Sequence, residues 1–187
     1  MALKSTIFKA QLQLADMDRH VYGDHGLTIA RHPSETDERM MMRVLAFALL
    51  LPSDDLRGAL EFAKGLSDTD EPDLWQKDLT GALVQWVEVG QPDERRLLKA
   101  AGRAELVSVF AYSSSVPLWW QPLANRLTRA DNLAVWHVPA EQSQALAELA
   151  ERSMRLQVNV QDGTAWIDNG SRSVEVTPQA LMKPRGR

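Results

Sequence analysis

Three acidic residues lie at positions where a carboxylate can do chemistry. Glu38 lies on the apolar stripe of a predicted helix, Asp73 follows a proline, and Glu88 lies inside a hydrophobic predicted strand. A carboxylate within a hydrophobic element is costly unless it is paired, hydrogen-bonded or bound to a cation. Two or three carboxylates that converge on one point favour Mg²⁺ or Mn²⁺, which keep several water molecules for a substrate phosphate. The three acids therefore indicate a site for a divalent metal.

A run of basic side chains begins shortly after Glu88. It consists of Arg95, Arg96, Lys99 and Arg103. Because Arg95, Lys99 and Arg103 recur at every fourth residue, they share one side of the predicted helix. Metal-assisted phosphoryl chemistry needs acids for the ion and cations for the phosphate. The two sets of residues together predict a phosphate-bearing substrate, with nucleic acid as the favoured partner.

Each of these signals also has a simpler interpretation. Glu38 suits the first turn of a helix, where the macrodipole favours an acid. Asp73 suits a turn in an acidic loop, and Glu88 suits a strand face that is open to water. A basic stripe is often only the solvated face of a helix.

Other chemistries find less support in the sequence. There is no cysteine, which excludes a disulfide scaffold, a zinc–thiolate site and a cysteine nucleophile. The four histidines show no ligand spacing, and Ser113–Ser115 lacks the pattern of a nucleophile elbow. The sequence also lacks a glycine-rich phosphate loop. Trp119-Trp120 resembles a stacking platform, although tryptophans near a helix start more often belong to a core.

The N-terminal third of the chain predicts a hairpin followed by a helix. Alternation over residues 3–14 and a weaker pattern over residues 21–30 predict two paired strands that extend or wrap the main sheet. The helix is expected to begin with Ser34 as its N-cap and to end at Pro52. It is the element that carries Glu38.

Strands and helices alternate along the rest of the chain. Residues 83–90 are rich in β-branched and aromatic side chains and form the clearest central strand, in which Glu88 shares a face with Trp86 and Gly90. Pro92 then starts the basic helix. Residues 59–63 fit either a short strand or a helical turn, with the strand favoured. The other predicted elements are strands at 105–112, 132–138, 156–160, 165–167 and 173–176 and helices at 116–127 and 140–151. This order predicts an α/β fold with a central mixed β-sheet flanked by helices.

The composition indicates a single domain over residues 1–187. The chain has 187 residues, of which 44% are hydrophobic and 25% charged, and its formal net charge is −4. The acidic balance argues against general polyanion binding but allows a local basic patch. Because no segment suits a signal peptide or a membrane span, we expect a cytoplasmic protein without a membrane partner.

Several long strings resemble the bacterial YaeQ family. They are residues 1–10, 27–43, 70–75, 86–96 and 118–121. The resemblance covers nearly the whole chain. It implies a variant of the PD-(D/E)XK nuclease fold for which no activity is firmly established.

The resemblance also implies roles for the acids. Glu38 would be the helix acid of a nuclease-like site. Asp73 and Glu88 would be the strand acids, and they would hold the metal together with the backbone carbonyl of Val89. The lysine of the nuclease motif falls at Gly90 and is therefore missing.

Two functions follow from this resemblance. The first is a phosphodiesterase or nuclease that depends on Mg²⁺ or Mn²⁺ and acts on nucleic acid, in which Lys99, Arg95 or Gln91 replaces the missing lysine. Its predicted residues are Glu38, Asp73, Glu88 and Lys99 for catalysis and Arg95, Arg96 and Arg103 for phosphate. The second is a non-catalytic regulatory module that binds nucleic acid or protein through the basic helix and Trp119-Trp120.

Overall fold

Alternating apolar side chains build the N-terminal hairpin. In the computed structural model, which describes residues 3–185, Phe8, Ala10, Leu12 and Leu14 are buried on one face of the first strand. The strands are β1 (Thr6–Asp16), β2 (Val21–Arg31), β3 (Leu60–Phe62), β4 (Leu74–Lys77), β5 (Leu83–Val89), β6 (Ala104–Tyr112), β7 (Leu133–Val138), β8 (Ser153–Gln161), β9 (Thr164–Asp168), β10 (Ser173–Val176) and β11 (Gln179–Met182). The α-helices are α1 (Asp37–Leu50), α2 (Glu94–Ala101), α3 (Val116–Leu123) and α4 (Ala140–Ala147).

The described residues divide into two compact units. The first unit comprises the residues up to Ser53 together with Glu141–Thr177, and the second comprises Asp54–Ala140 and the residues from Pro178 onward. A chain with two compact units can fold as one cooperative domain or as two independent domains. The single domain over residues 1–187 therefore stays a prediction.

The first unit contains a five-stranded mixed sheet in the order β10-β9-β8-β1-β2. β1 pairs antiparallel with β2 and parallel with β8, where Leu12 lies opposite Leu156. The expectation that the N-terminal hairpin extends the main sheet is wrong, because β1 and β2 pair within a separate sheet; that the hairpin wraps the main sheet stays a prediction. Strand β8 alternates with the same period as β1, so the two strands bury one continuous apolar face.

The middle turns of helix α1 in the first unit are buried on all sides, including the charged Arg43. Every residue from Met40 to Ala48 is buried. The N-cap is Thr36, whose Oγ1 accepts from the backbone N–H of Arg39 at 3.1 Å, and not the predicted Ser34. The backbone N–H of Ser34 instead donates to Nδ1 of His32, which holds the preceding turn.

The second unit contains a six-stranded mixed sheet in the order β11-β7-β6-β5-β4-β3. Strands β5, β6 and β7 are parallel, as the alternation of strands and helices predicted, and β3, β4 and β5 form an antiparallel meander. Helix α3 ends four residues before its predicted end at residue 127, because Pro122 removes a backbone donor inside the helix. Strands β4 and β11 were not predicted.

One core cluster of the second unit lies on one face of this sheet. Trp86, Val109 and Val135 come from β5, β6 and β7, and Leu97 of α2 packs on them. Trp119 and Trp120 of α3 are half-buried against the same core. None of the four described helices has the length and the apolar character that crossing a membrane requires.

Candidate functional site

Glu88 lies on β5 and its carboxylate is held by two donors. Its Oε1 atom accepts from Nε1 of Trp86 at 2.8 Å and from Nε of Arg96 at 2.7 Å. The Glu88 side chain is buried, whereas that of Arg96 is 30% exposed. The acid inside the hydrophobic strand is therefore compensated by a cation that reaches it from helix α2.

Arg96 also binds the acidic loop that precedes β4. Its Nη1 donates to the backbone carbonyl of Thr69 at 2.6 Å, and its Nη2 donates to that of Glu71 at 2.9 Å. Asp93 caps α2 by accepting from the backbone N–H of Arg96 at 2.8 Å. This bond fixes the backbone from which the Arg96 side chain extends. One guanidinium thus ties helix α2 to both β5 and the acidic loop.

Asp73 lies immediately before β4 and is 1% exposed. Its Oδ2 atom accepts from the backbone N–H of Val89 at 2.7 Å. The backbone of Asp73 forms hydrogen bonds to two neighbouring segments. Its N–H donates to the carbonyl of Val87 at 3.0 Å, and its carbonyl accepts from the N–H of Ala63 at 3.0 Å. The register that places Leu74 opposite Val87 brings Asp73 beside the end of β5.

The two strand acids lie close enough to influence each other. Burial raises the pKa of the Glu88 carboxyl above its ordinary value. The N–H groups of Trp86 and Arg96 and the charge of Arg96 lower this pKa, whereas the charge of Asp73 raises it. The structure therefore brings Asp73 and Glu88 together within the second unit.

As they are placed, these residues do not form a cage for Mg²⁺ or Mn²⁺. Within residues 3–185 there is no group of three or more acidic or histidine side chains that could hold a metal ion. A cation bound to Oε1 of Glu88 would take the position of the Arg96 guanidinium. Val89 contributes its N–H to Asp73, and its carbonyl as a ligand stays a prediction, as does the metal.

The space around Gly90, where the motif lysine would lie, is not filled by other atoms. Gly90 has a φ of +111°, and a Cβ atom added there would meet no heavy atom within 4 Å. The cation that reaches Glu88 is Arg96, whereas the sequence suggested Lys99, Arg95 or Gln91. The amide of Gln91 instead donates to Oγ of Ser115 at 2.7 Å.

The remaining basic residues line a groove beside α2. A cavity of about 340 Å³ is bordered by Arg95, Lys99 and Arg103 together with Arg96 and Trp86. The guanidinium carbon of Arg103 lies 5.1 Å from the centre of the Trp86 ring, which is a cation–π contact.

The cations of this groove differ in their availability. Lys99 makes only an exposed ion pair, with 3.6 Å between its Nζ and Oδ1 of Asp70. Arg95 is exposed, and within residues 3–185 its guanidinium has no ion-pair partner. Arg96 is the exception, because three of its N–H groups already have acceptors.

Glu38 belongs to the first unit, whereas Asp73 and Glu88 belong to the second. It is half-buried on α1, and its Oε1 accepts from Oγ of the buried Ser143 at 2.6 Å. In the first unit this carboxylate therefore joins helix α1 to helix α4.

Sequence reasoning missed a buried ion pair next to Glu38. Nε and Nη2 of Arg43 donate to the two carboxylate oxygens of Glu35 at 2.8 and 2.6 Å, and both side chains are buried. Arg39 donates to the same carboxylate at 2.8 Å. The spacing of Arg39 and Arg43 by four residues was the available signal, since these two positions share one side of helix α1, and Glu35 lies just before the N-cap of this helix.

The predicted Trp119-Trp120 platform is partly used by the fold. Nε1 of Trp119 donates to the backbone carbonyl of Pro92 at 3.0 Å, and the two rings lie 5.8 Å apart at a tilt of 42°. Both rings also pack on the core of the second unit. They therefore anchor α3 to the start of α2.

A sequence model of the YaeQ protein family matches residues 1–178. The uncharacterized protein YaeQ of Escherichia coli K12 is 42% identical over 185 residues, covering 98% of this chain and 99% of that protein. This chain belongs to the YaeQ family. The family resemblance inferred from the sequence is confirmed.

Solved structures of YaeQ proteins have the same fold as this chain. The crystal structure of YaeQ from Xanthomonas axonopodis pv. citri is 44% identical, with a TM-score of 0.90, and covers 96% of this chain and 99% of that chain. YaeQ from Pseudomonas syringae is 38% identical, with a TM-score of 0.89, and covers 97% of this chain and 98% of that chain. The mixed α/β fold with two sheets is thus shared with these YaeQ proteins, while the nuclease-like core stays a prediction.

Proposed function

We propose that the second unit binds the phosphate backbone of nucleic acid in the groove along α2, and that it does so without cleaving it. The observation that carries the proposal is the cluster of cations around one cavity. Arg95, Lys99 and Arg103 follow one another along one face of the helix and its C-terminal end. Phosphates along a strand attract such a row of cations and release their own counterions when they bind.

The groove cations make exposed contacts that a phosphate can replace. The ion pair of Lys99 with Asp70 is exposed on both sides and therefore contributes little to stability. Arg103 lies over the Trp86 ring, which limits its conformations before any ligand arrives. Binding a phosphate at these positions requires no buried contact to break.

The geometry around Glu88 favours binding over hydrolysis. Arg96 occupies the Oε1 atom of Glu88 and is itself fixed by two backbone carbonyls. Gly90 offers no charge to activate a water or to stabilise a phosphorane-like transition state. A carboxylate that is already paired with a guanidinium stabilises the fold and leaves the groove cations free for the ligand.

Fluorescence anisotropy with labelled single-stranded DNA, double-stranded DNA and single-stranded RNA tests this proposal across a salt series. We expect binding that weakens with salt, and a triple Ala variant of Arg95, Lys99 and Arg103 that loses it. Each single substitution should lower the slope of log K against log salt by about 1. Arg129→Ala is the matched control, because Arg129 is exposed in the same unit but does not line the groove. Binding that survives the triple substitution, or its absence at low salt, would contradict the proposal.

A second candidate is the metal-dependent phosphodiesterase, which the proximity of Asp73 and Glu88 favours. It predicts cleavage of the same substrates only in the presence of Mg²⁺ or Mn²⁺. Asp73→Asn and Glu88→Gln should each abolish that cleavage, and calorimetric titration with Mn²⁺ should show saturable binding to the wild type and none to either variant. Cleavage that meets these conditions would replace the non-catalytic proposal, whereas cleavage that survives both substitutions comes from elsewhere.

A further inference from the structure

We propose that the open face of the five-stranded sheet in the first unit binds a neutral oligosaccharide. This site lies on other elements than the groove along α2, and the proposal does not depend on nucleic-acid binding. It rests on how side chains of β1, β2, β8 and β9 are aligned across the sheet.

The sheet has one buried face and one exposed face. On β8, Met154, Leu156, Val158 and Val160 are buried, while the residues between them are exposed. An antiparallel sheet can leave one face in water, and such a face is normally polar. The exposed face of this sheet also carries two large aromatic side chains.

The two aromatic side chains lie in one row across the sheet, which we call the aromatic row. The register places Trp166 opposite Asn159, Asn159 opposite Ala15, and Ala15 opposite Tyr22. Trp166 is 36% exposed and Tyr22 is 59% exposed. Three strand spacings separate the two rings, about 14 Å at the backbone. The exposed side chain of Asn159 and the small side chain of Ala15 lie between them.

A row of amides and carboxylates, which we call the amide row, runs beside the aromatic row. The same pairings align Asp168, Gln157, Gln13 and Asp24. Nε2 of Gln157 donates to Oε1 of Gln13 at 3.1 Å, which orients both amides. A cavity of about 510 Å³ lies over this row, and Asn169 and Gly170 also line it.

The chemistry of the two rows matches that of a sugar chain. The C–H faces of a pyranose ring stack on an aromatic ring, while its hydroxyl groups both donate and accept hydrogen bonds. Amides present donors and acceptors side by side, and carboxylates accept from paired hydroxyls. Two aromatic side chains about 14 Å apart, with an amide between them, suit an extended oligosaccharide and exceed what a single ring would need.

The charge of the face argues for a neutral ligand and against nucleic acid. Its carboxylates belong to Asp24, Asp168 and Glu175, while Lys9 and Arg155 provide its cations. A phosphate backbone laid across the aromatic row would meet more carboxylates than cations, which disfavours it. A neutral ligand meets no such penalty.

Isothermal titration calorimetry of the whole chain with cellohexaose, maltohexaose, xylohexaose and chitohexaose tests the proposal. We expect saturable binding of at least one of these neutral hexasaccharides. Trp166→Ala and Tyr22→Ala should each weaken that binding about tenfold or more, because each removes one stacking platform. In ¹H–¹⁵N spectra, the amides of residues 13, 157 and 166 should shift on binding.

Ile7→Ala serves as the matched control. Ile7 is 44% exposed and lies on the same face of β1, outside the two rows, so this variant should bind as the wild type does. The proposal is overturned if none of the four hexasaccharides binds, or if binding survives the double substitution of Trp166 and Tyr22. It is also overturned if labelled single-stranded RNA binds and these two substitutions abolish that binding.

Discussion

Burial raises the pKa of the Glu88 carboxyl, and the hydrogen bonds and charge that lower it do not offset this effect. The folded chain therefore holds a proton on Glu88 at a pH where the unfolded chain, with an ordinary value of 4.5, has released it. Proton uptake by the folded state favours folding at low pH. The contribution of Glu88 to stability is thus greatest in acid and declines as the pH rises through its raised pKa.

Glu88→Gln should remove this pH dependence while keeping the hydrogen bonds. The Gln amide oxygen still accepts from Trp86 and Arg96 but carries no charge to desolvate. As the pH rises from 4.5 through the raised pKa of Glu88, we expect the wild type to lose stability relative to this variant, as measured by chemical denaturation at several pH values.

Trp86→Phe is a second variant, which should change the pH dependence of stability in the opposite direction to Glu88→Gln. It removes a donor that lowers the pKa of Glu88, so its stability should decline with pH more steeply than that of the wild type. Parallel stability curves for the wild type and Glu88→Gln would show that Glu88 is not the group responsible.

The residue pattern identified the acids but not their cation. Glu88 stands out in a strand of apolar residues, and Asp73 follows a proline in an acidic loop, so both are visible in the sequence. The role of Arg96 is not visible in the sequence, because the spacing of four residues selects Arg95, Lys99 and Arg103. One position along a helix is a rotation of about 100°, and this rotation is what turns Arg96 away from the stripe and onto Glu88.

At the scale of elements, the approach of β4 to the segment before β3 depends on one glycine. Gly58 has a φ of +86°, and its carbonyl accepts from Nε2 of Gln76 at 2.8 Å. A Cβ atom there would lie 1.8 Å from the backbone carbonyl oxygen of Lys77. Backbone on the opposing strand cannot move aside as a side chain can.

Gly58→Ala should therefore destabilise the chain by at least about 3 kcal/mol, since it combines a left-handed backbone with a steric overlap. Gly81→Ala is a close control, because Gly81 has a φ of +84° but no heavy atom within 4 Å of the added Cβ. It should cost only about 1 kcal/mol from the backbone conformation. Urea denaturation of both variants measures the difference, and equal losses would refute the role assigned to the Lys77 carbonyl.

Local periodicity predicts single strands and helices, but it does not predict which distant strands pair with each other. The alternation in β1 and the tail strands at 156–160, 165–167 and 173–176 were visible, and the structure contains a strand at each of these places. The sheet that the hairpin joins was not visible, because β8 lies more than a hundred residues away and any strand with the same period is an equally good partner. β11 is short and lacks alternation, so only its pairing with β7 identifies it.

For the whole molecule, the chain passes between the two units without a linker. The boundaries fall at residues 53–54, 140–141 and 177–178. The second of them lies inside helix α4, which begins at Ala140 and continues through Ala147. A chain of 187 residues is short for two independent hydrophobic cores, and it crosses from one unit to the other three times.

We therefore expect one cooperative unfolding transition, in which the calorimetric and van't Hoff enthalpies agree. Gly58→Ala provides a sharper test, because it perturbs only the second unit. In a cooperative chain, the slowest-exchanging amides of β1 and β8 in the first unit lose the same free energy of opening as those of β6 in the second. Native-state hydrogen exchange of the variant and the wild type measures both sets at once. If the amides of β6 lose protection while those of Leu12 and Val158 keep it, the two units unfold independently, and the single domain predicted from the sequence is wrong.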